Sequence, residues 1–192
     1  MPDPPGNPPE ALRQFYPIGG RAQAGNVEMI VIGLGANLDS PAGPPESTLR
    51  AALRAMEEAD VSIADNSRLF RTPAWPDPSD PPFVNAVARI ETALAPCDLL
   101  ALLHRIELVF GRVRGARNAP RPLDLDLLDY NGLVQDGPPT LPHPRLAERA
   151  FVLIPLADVA PDWRHPVDRR TARELLAAIP AAERAAIRPL QP

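Results

Sequence analysis

The chain has 192 residues, 27 of them proline, and its 20 basic and 24 acidic residues leave a formal net charge of −4. Every cation is an arginine, which excludes chemistries that need a lysine amine: the P-loop grip on phosphate, the protein-kinase lysine, and Schiff-base or pyridoxal-phosphate catalysis. A single cysteine, Cys97, excludes an intrachain disulfide and a multi-cysteine zinc site, and the mild acidity leaves no overall nucleic-acid footprint.

Residues 1–27 read as a proline-rich tail that buries too little apolar surface to offset its ordering entropy, so disorder is expected there. Five prolines, Asp3 and Glu10 within the first 15 residues rule out a secretory signal. No apolar run approaches the roughly 20 residues needed to span a bilayer. A cytoplasmic protein in a reducing compartment is expected. Met29 opens the first apolar run; a start near it and a genuine N-terminal extension are both open readings. Residues 28–192 read as one domain.

In chain order, Met29 to Leu34 is a short apolar run rich in β-branched residues and predicts a buried strand. A loop follows, and Pro44 or Pro45 suits the first turn of a helix over about residues 45–59, with Leu49, Ala52, Leu53 and Met56 at helical spacing. Residues 61–71 predict a second strand. Five prolines over residues 72–82 exclude both helix and central strand. Residues 83–92 alternate as a third strand. Residues 96–110 predict a helix with an apolar face of Leu99, Leu100, Leu103, Ile106 and Phe110. After a basic loop, residues 123–130 form a fourth strand. The order β-α-β-β-α-β predicts an α+β, ferredoxin-like core, an antiparallel sheet with helices on one face. Residues 131–192 append a short hairpin or strand, a helix near 145–158 and a helical piece around 171–179, a C-terminal helical extension.

The strongest chemical signal is Leu123-Asp-Leu-Asp-Leu-Leu128. Residues two apart on a strand share a face, so Asp124 and Asp126 project together while Leu123, Leu125 and Leu127 pack behind. Two adjacent carboxylates repel unless a cation lies between them, and a hard cation such as Mg²⁺ suits them; a solvated face with two harmless acids is the bland reading. Arg112, Arg114, Arg117 and Arg121 precede the pair within ten acid-free residues. A basic loop beside an acidic pair suits a polyphosphate with its metal, as it also suits a salt-bridged loop. Trp75 in the proline-rich loop, with Phe83 and Asn85 after it, suits a flat heterocycle by stacking and paired hydrogen bonds. His143 stands rigid between two prolines, expected to be exposed, and Phe151 is by default a core residue.

Together these motifs resemble the 6-hydroxymethyl-7,8-dihydropterin pyrophosphokinase family of folate biosynthesis over about residues 29–165. The resemblance rests on Gly35-Ala-Asn-Leu38, Arg71-Thr-Pro73, Phe83-Val-Asn85, Arg105-Ile-Glu107, Gly111-Arg112, Pro120-Arg-Pro-Leu-Asp-Leu-Asp126, Leu141-Pro-His143 and Arg149-Ala-Phe151. It implies two Mg²⁺ ions held by Asp124 and Asp126 with the ATP phosphates, and Arg112 and Arg121 at the reacting phosphates. It implies an ATP site of Glu107, Arg114, Arg117, Leu127, His143 and Arg149, with Leu127 near the base. Thr72, Pro73, Ala74 and Trp75 would border the pterin, Asn85 would hydrogen-bond its edge, and Phe83 and Phe151 would sandwich its ring. Departures are Ala36 for a usual Ser, Asn118 for a usual aromatic, Ala119 for a usual Gly, and a basic loop one residue shorter. Asp129 replaces a usual apolar residue on the leucine side, and is expected at a solvent-facing end of the strand.

The reaction implied moves the β,γ-pyrophosphoryl unit of ATP to the pterin hydroxymethyl oxygen and releases AMP. It needs positioning and charge neutralisation more than covalent catalysis. A pterin- or nucleotide-binding module impaired by the altered loop is the second reading. A ferredoxin-like RNA-binding domain is the third, disfavoured because the strands carry few exposed aromatics. The expected partners are ATP and the pterin alone, with no nucleic acid or membrane, and the expected state is a monomer.

Overall fold

Alternation along the first strand decides the layering. In the computed structural model, which describes residues 29–74, 77, 79–113 and 119–191, Ile30, Ile32, Leu34 and Ala36 of β1 (Ile30–Ala36) join one buried cluster and Val31 joins another. The sheet therefore separates two apolar layers.

The first layer holds the predicted helices α1 (Pro45–Glu58) and α2 (Pro96–Val109). Pro44 and Ala95 cap their starts, and Pro45 and Pro96 occupy the first turns, where a missing N–H costs no helical bond. Gly43 has φ 104° and makes the turn into α1, a conformation that glycine adopts without a Cβ penalty. Thr48 Oγ1 donates to the Gly43 carbonyl and lies 2.7 Å from Ser40 Oγ, closing that turn. Most of the expected apolar stripes are buried: Leu49, Ala52 and Met56 from α1, and Leu99, Leu103, Ile106 and Phe110 at α2; Leu53 and Leu100 are half-buried, and Leu102, not expected, is buried.

The predicted second strand is two strands, β2 (Ser62–Asn66) and β3 (Phe70–Thr72), which both pair antiparallel with β4 (Phe83–Glu91). Ser67 sits between them. Its N–H donates to the Val87 carbonyl and its hydroxyl accepts from the Val87 N–H, so the side chain replaces a ladder bond where the chain turns. β1 lies between β4 and β5 (Asp124–Tyr130), antiparallel to both. This is the ferredoxin-like order, with β5 at one edge.

The C-terminal extension covers part of the second face. The helix expected near 145–158 is a 3₁₀ turn, Leu146–Glu148, followed by α3 (Ala150–Val159). Then come α4 (Ala172–Ala177), α5 (Ala181–Ala186) and a two-residue strand β6 (Arg188–Pro189). Thr171 caps α4 in a reciprocal capping box with Glu174. α3 and α4 bury Leu153, Leu156 and Leu175 against Val31, Val87 and Leu128. The two core helices share one face as expected, while the extension lines the other. In place of the expected hairpin or strand after residue 131 there is only an isolated bridge between Gln135 and Leu141. β6 extends the sheet by pairing with β3 and has no counterpart in the expected elements. The proline-rich residues 1–27, expected to form a disordered tail, lie outside the described residues.

Asp129 is a correction. Expected at a solvent-facing end, it is 3% exposed. A bulge shifts the β1–β5 register: Ile32 faces Leu127, and the next residue of β1, Val31, faces Asp129. The extra residue, Leu128, turns Asp129 from the leucine side to the second face. There Trp163 Nε1 donates to its Oδ2 at 2.7 Å and the Gly132 N–H to its Oδ1 at 3.0 Å.

Candidate active site

Three neighbouring strands place Asn85, Gly35 and Asp124 in one row, because Gly35 of β1 faces Asn85 on one side and Asp124 on the other. Two pairs along, on the same face, Gly33 faces Asp126. The two glycines add no side chain of their own between a side-chain amide and two carboxylates. Above them lies a cavity of about 560 Å³, lined among others by Thr72, Phe83, Asn85, Asp124, Asp126 and Phe151. Pro73, Ala74, Arg121 and Arg149 also line it.

On the carboxylate side the arginines are already engaged. Arg112 Nη1 donates to both Glu107 Oε1 and Asp124 Oδ1, Arg121 Nη1 lies 3.5 Å from Asp124 Oδ1, and Arg149 Nη1 lies 3.4 Å from Asp126 Oδ2. Burial pulls the Arg112 guanidinium down, but the Asp124 and Glu107 carboxylates outweigh it and hold it above its ordinary value. Glu107 is buried under this cluster and also accepts from the Leu125 N–H at 2.7 Å. Burial pushes its carboxyl up to about 7, against the Leu125 hydrogen bond and the Arg112 charge. Burial, then the Asp124 charge, also raises Asp126.

His143 is half-buried rather than exposed, because its backbone N–H donates to the Leu128 carbonyl at 2.8 Å and docks it beside β5. Burial lowers its pKa, with the Asp126 charge opposing. Burial also lowers that of Arg149, which stays protonated at any physiological pH because its ordinary value is so high.

On the amide side, Asn85 is 6% exposed, and its Nδ2 donates to Thr72 Oγ1 at 2.7 Å. Phe151 is half-buried: it packs against the second core layer and also lines the cavity. Each expected aromatic carries a guanidinium: Arg121 lies 5.8 Å over the Phe83 ring and Arg149 5.4 Å over the Phe151 ring. The same two arginines thus touch both the aromatic and the carboxylate ends of the cavity.

Of the expected site residues, Leu127 is not among those lining the cavity. It is 4% exposed and packs into the first core layer opposite Ile32, since alternation points it away from Asp126. Trp75, Arg114, Arg117 and Asn118 lie outside the described residues. The sequence reading gave no role to Asn37, which is 4% exposed. Its Oδ1 accepts from the Arg121 N–H and its Nδ2 donates to the Pro81 carbonyl, tying the basic loop to the proline-rich loop at the end of β1. Its place in the Gly35–Leu38 motif was the available signal. Arg145, Glu148, Glu183, Ala186 and Ile187 also line the cavity, and nothing local in the sequence marks them.

Among the described residues no group of three or more His, Cys, Asp or Glu side chains could hold a metal alone. Two carboxylates facing a cavity suit Mg²⁺, which takes one or two protein carboxylates and completes its shell from phosphate and water. An anionic co-ligand fits as well: Arg121 Nε is buried with no hydrogen-bond acceptor.

Residues 31–161 match the family model described as 7,8-dihydro-6-hydroxymethylpterin-pyrophosphokinase. The 2-amino-4-hydroxy-6-hydroxymethyldihydropteridine pyrophosphokinase of Pseudomonas aeruginosa is 43% identical over 156 residues, covering 80% of this chain and 93% of that one. The protein of the same name from Methylorubrum extorquens is 39% identical, covering 77% of this chain and 91% of its own. A solved HPPK-DHPS structure from Plasmodium falciparum, with pterin and p-hydroxybenzoate, superposes with TM-score 0.60 at 15% identity. That match covers 78% of this chain and 43% of the longer one, and it supports the fold alone. On the family match and these identities, the chain belongs to the 7,8-dihydro-6-hydroxymethylpterin-pyrophosphokinase family.

Proposed function

We propose that this enzyme transfers the β,γ-pyrophosphoryl unit of ATP to the hydroxymethyl oxygen of 6-hydroxymethyl-7,8-dihydropterin, giving AMP and the pterin diphosphate. The observation that carries the reading is the row Asn85–Gly35–Asp124, which holds a heterocycle-recognising amide and a phosphate-side carboxylate across one bare glycine. That spacing lets one cavity orient both reactants for in-line displacement, and positioning of this kind supplies a large share of the rate.

In this reading Phe83 and Phe151 flank the pterin ring. Asn85 reads its edge while Thr72, Pro73, Ala74 and Trp75 border it. Glu107, Arg114, Arg117, His143 and Arg149 line the nucleotide site. Arg112 and Arg121 neutralise the phosphate oxygens, each guanidinium matching two oxygens in its planar fork. Asp124 and Asp126 would hold two Mg²⁺ ions with the phosphates, where bound metal supplies charge neutralisation and a more acidic attacking hydroxyl. Glu107 holds Arg112 in place from beneath. The pterin hydroxyl would attack the β-phosphorus as the bond from that phosphorus to the oxygen leaving with AMP breaks, its proton passing to solvent water, so no residue of the cavity is required as a dedicated base.

We read residues 28–192 as the single domain that carries this activity, acting as a monomer in the cytoplasm on small molecules, with no nucleic-acid partner. The net charge of −4 is consistent with the lack of a nucleic-acid partner in that reading; no helix among the described residues is long and apolar enough to cross a membrane. Sedimentation analysis checks the monomer. The activity is tested by incubating the protein with ATP, Mg²⁺ and the reduced hydroxymethylpterin. AMP should form only when both pterin and metal are present. Formation of ADP would sink the reading, and binding of both ligands without AMP would favour the impaired binding module.

A further inference from the structure

The cavity has a wall that lies beyond the family match, which ends at residue 161. Glu183 and Ala186 of α5, with Ile187 after it, line the cavity. Residues three and four apart share a helix face, so one side of this short helix is turned to the cavity. α5 buries none of its own residues and is held by the segments that flank it, with Ile179 before it 8% exposed in the second core layer. Ile187 is 8% exposed in the second core layer. β6 then pairs Arg188 with Arg71 and Pro189 with Phe70, and the Leu190 N–H donates to the Leu69 carbonyl at 2.8 Å.

This anchorage falls on β3, the strand that runs directly into Thr72, Pro73 and Ala74. The segment is thereby registered against the amide end of the cavity. The carboxylates are on β5, at the opposite edge of the sheet order β5-β1-β4-β3-β6. Four strand spacings separate those edges, roughly 19 Å. A change on α5 should therefore act first on the heterocycle end of the cavity.

We propose that the C-terminal segment is the specificity wall of the heterocycle end, and that Ala186 is the residue setting how large a ring system fits. This rests on the pterin reading given above. Alanine keeps the wall to a single methyl group. A larger side chain there enters space that the bound ring needs, and close-packed sites give way only at a cost.

The test is a size series at one position, Ala186→Val and Ala186→Leu, in the full chain, with Ala182→Leu as control. Ala182 is exposed on the same helix and is not among the cavity-lining residues. Binding of 6-hydroxymethylpterin is measured calorimetrically with Mg²⁺ and a non-hydrolysable ATP analogue present, and binding of the analogue is measured separately. The pterin Kd should rise with side-chain volume, by about tenfold at leucine, while the nucleotide Kd stays within about twofold. The control should change neither. Equal pterin affinity across the series, with the wild type binding normally, overturns this inference alone. A parallel loss of nucleotide affinity also overturns it, since that marks general damage to the fold. A wild-type chain that binds no pterin overturns this inference and the functional reading together.

Discussion

A Cβ added to Gly35 would lie 2.8 Å from the Asn85 amide oxygen. That is closer than real Cβ atoms come to a neighbour, and Asn85 is fixed by its bond to Thr72 at 2.7 Å. The glycine is thus required by the approach of an amide, not by its backbone angles.

Gly35→Ala must therefore displace Asn85. The expected stability loss is moderate, about 1–3 kcal/mol, as for other overpacked sites. The catalytic loss should be larger and one-sided: KM for the pterin rises about tenfold or more while KM for ATP holds, since the displaced amide positions only one substrate. Steady-state AMP formation with each substrate varied in turn checks this, alongside a thermal melt.

Asp126→Asn separates folding from catalysis. Its carboxylate is disfavoured in the unliganded protein by burial and by Asp124, so removing the charge should leave the melting temperature of the unliganded protein unchanged or higher. Turnover should fall by about 10³-fold, in line with loss of a principal charge-stabilising group. Stabilisation by Mg²⁺ with ATP should disappear as well. Melting curves with and without both, and AMP assays, read the two effects.

Glu107 predicts a pH dependence. Its folded pKa is raised from 4.5 to about 7, so its contribution to stability is fully present below its unfolded value and is lost as the pH rises through about 7. The loss has an upper bound of about 3 kcal/mol. His143, lowered by burial, gives the opposite slope, with stability lost as the pH falls below its ordinary value. The difference between wild type and Glu107→Gln isolates the first term. Urea denaturation of both proteins without metal, from about pH 5 to 8.5, should show curves that run closest near pH 5, where Glu107 is neutral like glutamine, and separate as the pH rises to about 7, with wild type falling below the variant and the gap then constant.

Asp129→Ala should lower stability by about 2–3 kcal/mol, because it leaves the Trp163 indole N–H buried without its acceptor. Adding Trp163→Phe should cost less than the sum of the two single substitutions, since the unpaired donor is then gone. AMP formation at saturating substrates should stay near wild type, as Asp129 is not among the residues lining the cavity. Denaturation midpoints for the two single variants and the double variant complete the cycle.

Much of this was legible in the chain itself. The Asp124/Asp126 pair faces the cavity because a strand alternates every residue, and Leu125 and Leu127 anchor that alternation in the core. The proline and glycine signals placed α1 and α2 to within a residue or two. The arginine-only composition means that every side chain pairing with these carboxylates, from Arg112 to Arg149, is a guanidinium. These are local matters, fixed by periodicity and by the chemistry of neighbouring residues.

Other features depend on contacts between distant parts of the chain. The bulge that buries Asp129 turns it to a donor on Trp163, 34 residues later. The break at Ser67 exists because Val87 supplies a backbone partner on another strand. The wall made by Ala186 exists because β6 finds the free edge of β3. The sequence by itself determined which charged side chains stand on the cavity face of their own strand. Only the tertiary structure decided which distant segments meet them, because a backbone hydrogen bond or a buried donor is satisfied by whichever partner the packed chain brings within reach.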